Sequence, residues 1–487
     1  MQICSMYFLI FLAVVALVNY ILPQKIRSYW LLIASFAFYA SYDVVYLIVM
    51  LVGIAISYIA GKLIDRNPEN GKKIMTVTVM ILVASLVYFK YTGMIGTTIN
   101  KIQELTTGRS EFRLESIIVP LGISYYLLQM IGYVIDVYNK KIETSSSLVN
   151  YALFVSFFPT VVSGPIERAG NMIPQYEKLP GFDEDNIRRG LLQIIWGFFL
   201  KMIVADRIGV LVSTVNADPV AYRGSVVFVI VLMYALQIYT DFGGYSNIAI
   251  GSARILGIKV MDNFNAPFFA TSVSETWRRW HISLSTWFRD YVYIPLGGNR
   301  KGTTRKYVNL ITTFVASGIW HGAAWTYAAW GLISGIYQVI GMILMPARNN
   351  IVGILHIDRD AFSHRLLKTI VTFFLFSFAT IFFGKETFAQ AILILKNMWK
   401  FTPWVFTDGT FYTLGLDRPN FNLMLIGLVI MAVADIFKYK GYDIPGVISK
   451  QSLWIRWCIY IGALIIISVC GIWGHGYDAT NFIYVQF

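Results

Sequence analysis

From Tyr307 to Ala347 the chain carries no Asp, Glu, Lys or Arg, and His321 is the only histidine in that stretch. Further apolar runs lie at about 6–22, 29–63, 74–92, 117–137, 148–163, 190–215, 224–240, 367–384, 421–437 and 457–474. Most are long enough to cross hydrocarbon as a helix, and the 29–63 run is long enough for two short spans. Only a membrane lets a chain carry so many helices without a charged face for water. Composition agrees: 56% of the 487 residues are hydrophobic, 14% are charged, and the mean hydropathy is +0.60. These observations predict an all-α polytopic membrane protein with about 11–13 transmembrane or re-entrant helices. No internal repeat, low-complexity tract or soluble domain interrupts it, so residues 1–487 read as one domain.

The formal charge of +13 is read through the positive-inside rule. Candidate cytoplasmic faces are 65–73 (DRNPENGKK), Lys140-Lys141, Arg188-Arg189 and the block from Arg278 to Lys306. The last span follows Lys450 and Arg456 and ends at Gly474-His475-Gly476 with no Lys or Arg beyond, which places the C-terminus outside. With no basic tail and no polar surface interleaving aromatics with Lys and Arg, nucleic-acid binding is excluded. The run from Met6 to Leu22 lacks a basic n-region and a clear cleavage site, and so reads as a retained span. Cys4, Cys458 and Cys470 offer neither a disulfide framework nor metal-ligand spacing.

The densest chemistry lies between Thr276 and Gly322. At 100° per residue, Trp277 to Tyr291 is amphipathic. Trp277, Trp280, Leu284, Trp287, Phe288 and Tyr291 fall on one side, Arg278, Ser285 and Arg289 on a second ridge, and His281 at their boundary. Such a helix suits the plane of a membrane interface. Fifteen residues beyond Lys306, roughly 22 Å along a helix, His321 would sit deep in the hydrocarbon if Lys306 marks the surface. An ionisable side chain at that depth is costly and is a functional candidate; a hydrogen-bonded core histidine is the alternative.

Two polar islands stand inside apolar sequence. In PTVVSGPIER (159–168), Pro165 and the preceding glycine should break a helix beside Glu167 and Arg168. In YTDFGGYS (239–246), Asp241 lies between an apolar span and glycines. Gly243, Gly244, Gly251 and Gly257 suggest a re-entrant, interrupted segment there. The structural reading of both islands is an ion pair or hydrogen-bond hub holding broken helices.

Five ordered stretches resemble the membrane-bound O-acyltransferase (MBOAT) superfamily, in its bacterial branch of alginate O-acetylation and teichoic-acid D-alanylation proteins. They are VPLGISYYLLQMIGYVIDVY (119–138), FFPTVVSGPIER (157–168), YTDFGGYSNIAIG (239–251), NFNAPFFATSVSETWRRWHISLSTWFRDYVYIPLGGNR (263–300) and SGIWHGAAWTY (317–327), so the core motifs cover 119–327. The last residues, NFIYVQF, resemble the aromatic C-terminal hexapeptide of the alginate-type branch, here 482–487, with Val485 where Phe is usual.

The resemblance implies a helical bundle around a central tunnel, with a thioester donor entering from the cytoplasm and a hydroxyl acceptor from the other side. It puts the superfamily's invariant histidine at His321 and a branch-restricted one at His281. A buried neutral imidazole can take a proton from an attacking hydroxyl, which fits His321. His281, with Arg278, Arg279, Ser285, Arg289 and Trp320, is assigned to the donor. Arg278, Arg279, Arg289 and Arg300 suit either the phosphates of acetyl-CoA or lipid headgroups. Tyr484 is expected to relay the acyl group, an interfacial aromatic anchor being the alternative. Glu167, Arg168 and Asp241 are held to be structural.

The expected partners are the bilayer, acetyl-CoA, an extracytoplasmic SGNH/GDSL-like transferase and a polysaccharide or wall-polymer acceptor. No bound cofactor or metal is expected. Two rival readings are a D-alanyl transferase fed by a carrier protein and a non-enzymatic polysaccharide-export component. Transporters usually show inverted repeats, and none is evident. A motif on the same chain favours the alginate-type arrangement over the first rival.

Overall fold

The computed structural model describes residues 1–108 and 117–472. They form α-helices and short helical turns, with no strand among the described residues. In chain order the helices are α1 (Met6–Ile21), α2 (Gln24–Ala40), α3 (Val44–Arg66), α4 (Gly71–Leu86), α5 (Thr92–Thr107), α6 (Ile123–Tyr138) and α7 (Leu148–Ser156). There follow α8 (Ala169–Glu177), α9 (Glu184–Phe198), α10 (Asp206–Ala217), α11 (Ser225–Ile255), α12 (Val273–Arg279), α13 (Ile282–Phe288) and α14 (Thr303–His321). The rest are α15 (Trp325–Ile343), α16 (Met345–Ile354), α17 (Phe362–Ala379), α18 (Phe388–Asn397), α19 (Arg418–Tyr439), α20 (Ile444–Ser449) and α21 (Leu453–Cys470). Among the described residues, seven helical segments are long and apolar enough to cross a membrane, and α1 and α18 are shorter apolar helices. The protein is a multi-pass membrane protein. On α21 almost every side chain, Trp454 and Val469 among them, points away from the protein, as suits a helix solvated by lipid.

The chain forms two compact units. The first comprises residues 1–194 and 246–261, the second 195–245 and 262–472. In the first, Phe8 meets Phe38 and Phe158 edge-on, and those two rings pack tilted on each other, all within 6.0 Å. The Tyr151 ring packs tilted against Tyr133 at 4.4 Å, and its hydroxyl donates to Ser57 Oγ at 2.6 Å. The 148–163 run is not one span. Helix α7 stops at Ser156, and the chain then runs without helix, fully buried, to Glu167. Such backbone must find its hydrogen bonds inside the protein, and it does: Phe158 N–H donates to Ser35 Oγ at 3.2 Å, and Val161 and Gly164 close turns onto Phe157 and Thr160.

The glycines after Asp241 do not interrupt anything. Helix α11 runs unbroken through Gly243, Gly244 and Gly251, and only Gly257, at φ +78°, lies beyond its end. Their use is close approach. A Cβ on Gly251 would stand 2.6 Å from the Gly190 carbonyl, and in the second unit one on Gly244 would stand 2.8 Å from that of Gly197. Small residues that let backbones touch are how helices pack without a hydrophobic drive.

The second unit is built on Ile203, Val204, Ile208, Leu211, Val227, Ile230 and Met424, which pack α10, α11 and α19 together. A π-helical segment, Phe199–Ala205, separates α9 from α10. Helices α14 and α15 lie close, because Gly318 and Gly331 leave room: a Cβ on Gly331 would overlap the Phe314 carbonyl.

Candidate active site

The Trp277–Tyr291 segment is two short helices rather than one amphipathic helix. Helix α12 ends at Arg279, Trp280 is extended, and His281 takes a left-handed backbone at φ +42° before α13. The cause is the preceding segment. Asn263 accepts the Ile282 N–H at 2.9 Å through its carbonyl and the Ser283 hydroxyl at 2.6 Å through its side chain, while Asn265 N–H donates to the Arg279 carbonyl at 2.9 Å. These contacts replace the intrahelical bonds that a continuous helix would make. A non-glycine residue at positive φ costs on the order of 1–3 kcal/mol and persists only where its surroundings impose it.

The tryptophan face is not interfacial either. Trp277, Trp280, Leu284, Trp287, Phe288 and Tyr291 are all buried within the protein. His281 is buried with them at 1% exposure, not at a boundary with arginines. Its ring meets Phe242 at 4.7 Å, Trp320 at 6.1 Å and His321 at 6.0 Å. Burial pulls its imidazole down from about 6.5 to about 3. It is neutral at pH 7.

His321 is the last residue of α14, with 1% exposure. Trp320 and Trp330 stand at 5.0 Å from its ring and Phe383 at 5.5 Å. Gly322 fixes this helix end in place, since any Cβ there would overlap the Tyr327 ring. Two histidines forty positions apart thus face each other in an aromatic box within one unit.

The arginines do not form one ridge. Arg279 donates to Glu275 at 2.9 Å and lies over the Tyr439 ring at 4.6 Å. Arg289, exposed, pairs with Asp290 at 2.8 Å. Ser285 donates to the Trp280 carbonyl at 3.1 Å. Arg278 and Arg300 are exposed. Trp320 is the member of this set that touches both histidines.

Asp241 accepts from Lys201 Nζ at 2.7 Å, and the same ammonium reaches Asp206 at 2.7 Å. Neither lysine nor second aspartate follows from the sequence reading, although a lone Lys in FFLKMIVADR was a visible signal. Tyr239 donates to the buried Asp435 carboxylate at 2.8 Å. In the first unit, Glu167 is a hydrogen-bond hub, accepting from Met261 N–H, from Asn171 at 2.9 Å and from Arg168 N–H at 3.3 Å. The Arg168 guanidinium donates to the Ile166 carbonyl at 3.1 Å. Burial raises the Glu167 carboxyl pKa against the opposing pull of these bonds. Tyr484 and the 482–487 motif lie outside the described residues.

Residues 139–385, which include both histidines, match MBOAT, the membrane-bound O-acyltransferase family. The chain belongs to the membrane-bound O-acyltransferases. This O-acyltransferase is 32% identical over 451 residues, 91% of its length and 86% of the relative's, to "Probable alginate O-acetylase AlgI" of Azotobacter vinelandii. It is 33% identical to the peptidoglycan O-acetyltransferase of Helicobacter pylori, across 76% of this chain and 73% of that one. Similarity to the teichoic acid D-alanyltransferase of Streptococcus thermophilus, at 32% identity, covers 46% of this O-acyltransferase and 57% of that protein.

Proposed function

We propose that this O-acyltransferase moves acetyl groups from cytoplasmic acetyl-CoA across the bacterial cytoplasmic membrane, for O-acetylation of an extracytoplasmic polysaccharide or wall polymer. The observation that carries the reading is the buried pair His281–His321 in its aromatic box. His321 acts as general base. Its imidazole takes the proton of the acceptor hydroxyl as that oxygen attacks the thioester carbonyl. The C–S bond breaks, and the proton passes on to the departing thiolate. His281, neutral and packed on Phe242, Trp320 and His321, orients rather than binds phosphate. Exposed Arg278 and Arg300 are the members of the arginine set free to meet the donor's phosphates.

The acceptor hydroxyl in this reading is Tyr484, whose C-terminal motif lies on the extracytoplasmic side. An SGNH/GDSL-like partner then passes the acetyl group to the polymer. The acetyl donor is favoured over carrier-bound D-alanine because relatives named for O-acetylation align along most of this chain, and the D-alanyltransferase along less than half. A phenol of pKa near 10 needs a base to attack, which is the role given to His321.

The test is peptide mass spectrometry of the purified protein after incubation with labelled acetyl-CoA, comparing wild type, His321→Ala and Tyr484→Phe. Acetyl label on Tyr484 in wild type, absent from both variants, is expected. Label only on a partner serine, still dependent on His321, would keep the enzyme and remove the relay. No label dependent on His321 would overturn the mechanism.

A further inference from the structure

A cleft of about 720 Å³ opens in the first unit where the N-terminal ends of α2 and α7 meet the C-terminal end of α8. Its walls carry Lys25, Arg27 and Lys178 against one carboxylate, Glu177. Other polar groups there are spent on structure. Gln24 donates to the Leu179 carbonyl at 3.0 Å, Ser28 to that of Tyr176 at 2.8 Å, and Ser147 caps α7 by accepting the Asn150 N–H at 3.2 Å. The Arg27 guanidinium is pinned by the carbonyls of Leu22 at 2.9 Å and Pro180 at 3.0 Å, which fix its place without neutralising its charge.

What remains is unused donor capacity pointing at one space. Lys25 and Lys178 are exposed and make no ion pair or hydrogen bond among the described residues. The Asn150 carboxamide lines the cleft and is 9% exposed, yet it makes no hydrogen bond among the described residues. Held on a side chain that is otherwise buried, this amide opens onto the cleft with its hydrogen-bonding capacity available to a ligand there. The N–H of Val149, in the first turn of α7, also faces no acceptor among the described residues. A helix N-terminus with its amide hydrogens, an amide side chain and fixed cations together make an anion receptor.

We infer that this cleft binds a phosphate group, held by Lys25, Lys178, Asn150 and the N-terminus of α7. Arg27 supplies fixed positive charge behind it. Phosphate could arrive on an anionic lipid headgroup or on the nucleotide end of a donor, and both present the same chemistry to these residues. The inference does not rest on acyl transfer, because its test reads binding alone.

Delipidated full-length protein in neutral detergent is titrated separately with phosphatidylglycerol and with adenosine 3′,5′-bisphosphate, and adducts are counted by native mass spectrometry. The variants are Lys25→Ala/Lys178→Ala, Asn150→Leu and, as a control for general loss of positive charge, Lys72→Ala/Lys73→Ala. At least one ligand is expected to bind wild type and control alike and to bind each cleft variant at least fivefold more weakly. Loss for the lipid alone names a headgroup site, and loss for the bisphosphate alone names a nucleotide site. Equal weakening in the control, unchanged binding in the cleft variants, or no binding of either ligand to wild type overturns the inference. Wild-type melting temperatures in the variants show that any loss is not unfolding.

Discussion

Lys201 holds its ammonium, 2% exposed, between Asp206 and Asp241 at 2.7 Å each. Breaking such a group leaves two carboxylates facing each other, and losing one partner of a buried pair typically costs about 3–5 kcal/mol. Lys201→Met is therefore expected to lower the melting temperature sharply in detergent. Adding Asp206→Asn and Asp241→Asn should restore most of the loss; no restoration would show that the lysine acts through packing instead. A second residue-scale expectation concerns His281. Its folded pKa of about 3 lies below the unfolded value of about 6.5. Below pH 6.5 the unfolded chain binds a proton that the folded protein refuses, so this contribution is present above 6.5 and declines toward pH 3. The melting temperature should fall from pH 7 to pH 5, and His281→Gln should flatten that slope. An identical slope in the variant would assign the pH dependence to other groups. His321 itself was legible as a candidate because it is the lone histidine of an uncharged run. The partners of Asp241 were not, since Lys201 lies forty positions away and no local pattern links them.

Among elements, the α14–α15 pair sets where His321 points. Gly318 and Gly331 let the two backbones touch, and a side chain on Gly331 would meet the Phe314 carbonyl. Gly331→Val should destabilise by about 1–3 kcal/mol through overpacking. Because it displaces α14, it should also reduce acyl transfer more than an equally destabilising change on lipid-facing α21, such as one at Leu464, which is exposed. Paired measurements of melting temperature and activity check this, and equal activity in the two variants would remove α15 from the account. Hydropathy placed most long helices within a few residues. Besides the 148–163 run, which ends as a helix at Ser156, it misjudged two more elements for identifiable reasons. Glycines on α11 looked like breaks because their close neighbours, Gly190 and Gly197, belong to α9 and lie remote in sequence. The α12–α13 break was invisible because Asn263 and Asn265 impose it from outside the helix.

For the whole molecule, the Lys/Arg distribution makes a claim about orientation. In a background with Cys4, Cys458 and Cys470 replaced, a cysteine at Lys141 should react with a membrane-impermeant thiol reagent only after cells are opened. One placed at Gly476 should react in intact cells. The opposite pattern would invert the topology and, with it, the direction of transfer proposed above.

The sequence by itself determined the solvent, the class and the two histidines to watch. Hydropathy is a property of consecutive residues, and the motifs of 119–327 are contiguous strings that need no folding to be read. Only the tertiary structure decided that His281 is buried and neutral, that its ring stands 6.0 Å from that of His321, and that Lys201 joins Asp206 to Asp241. Each of those facts depends on which side chains meet through space. A helix can show which residues share its face, but the identity of what packs against that face lies elsewhere in the chain.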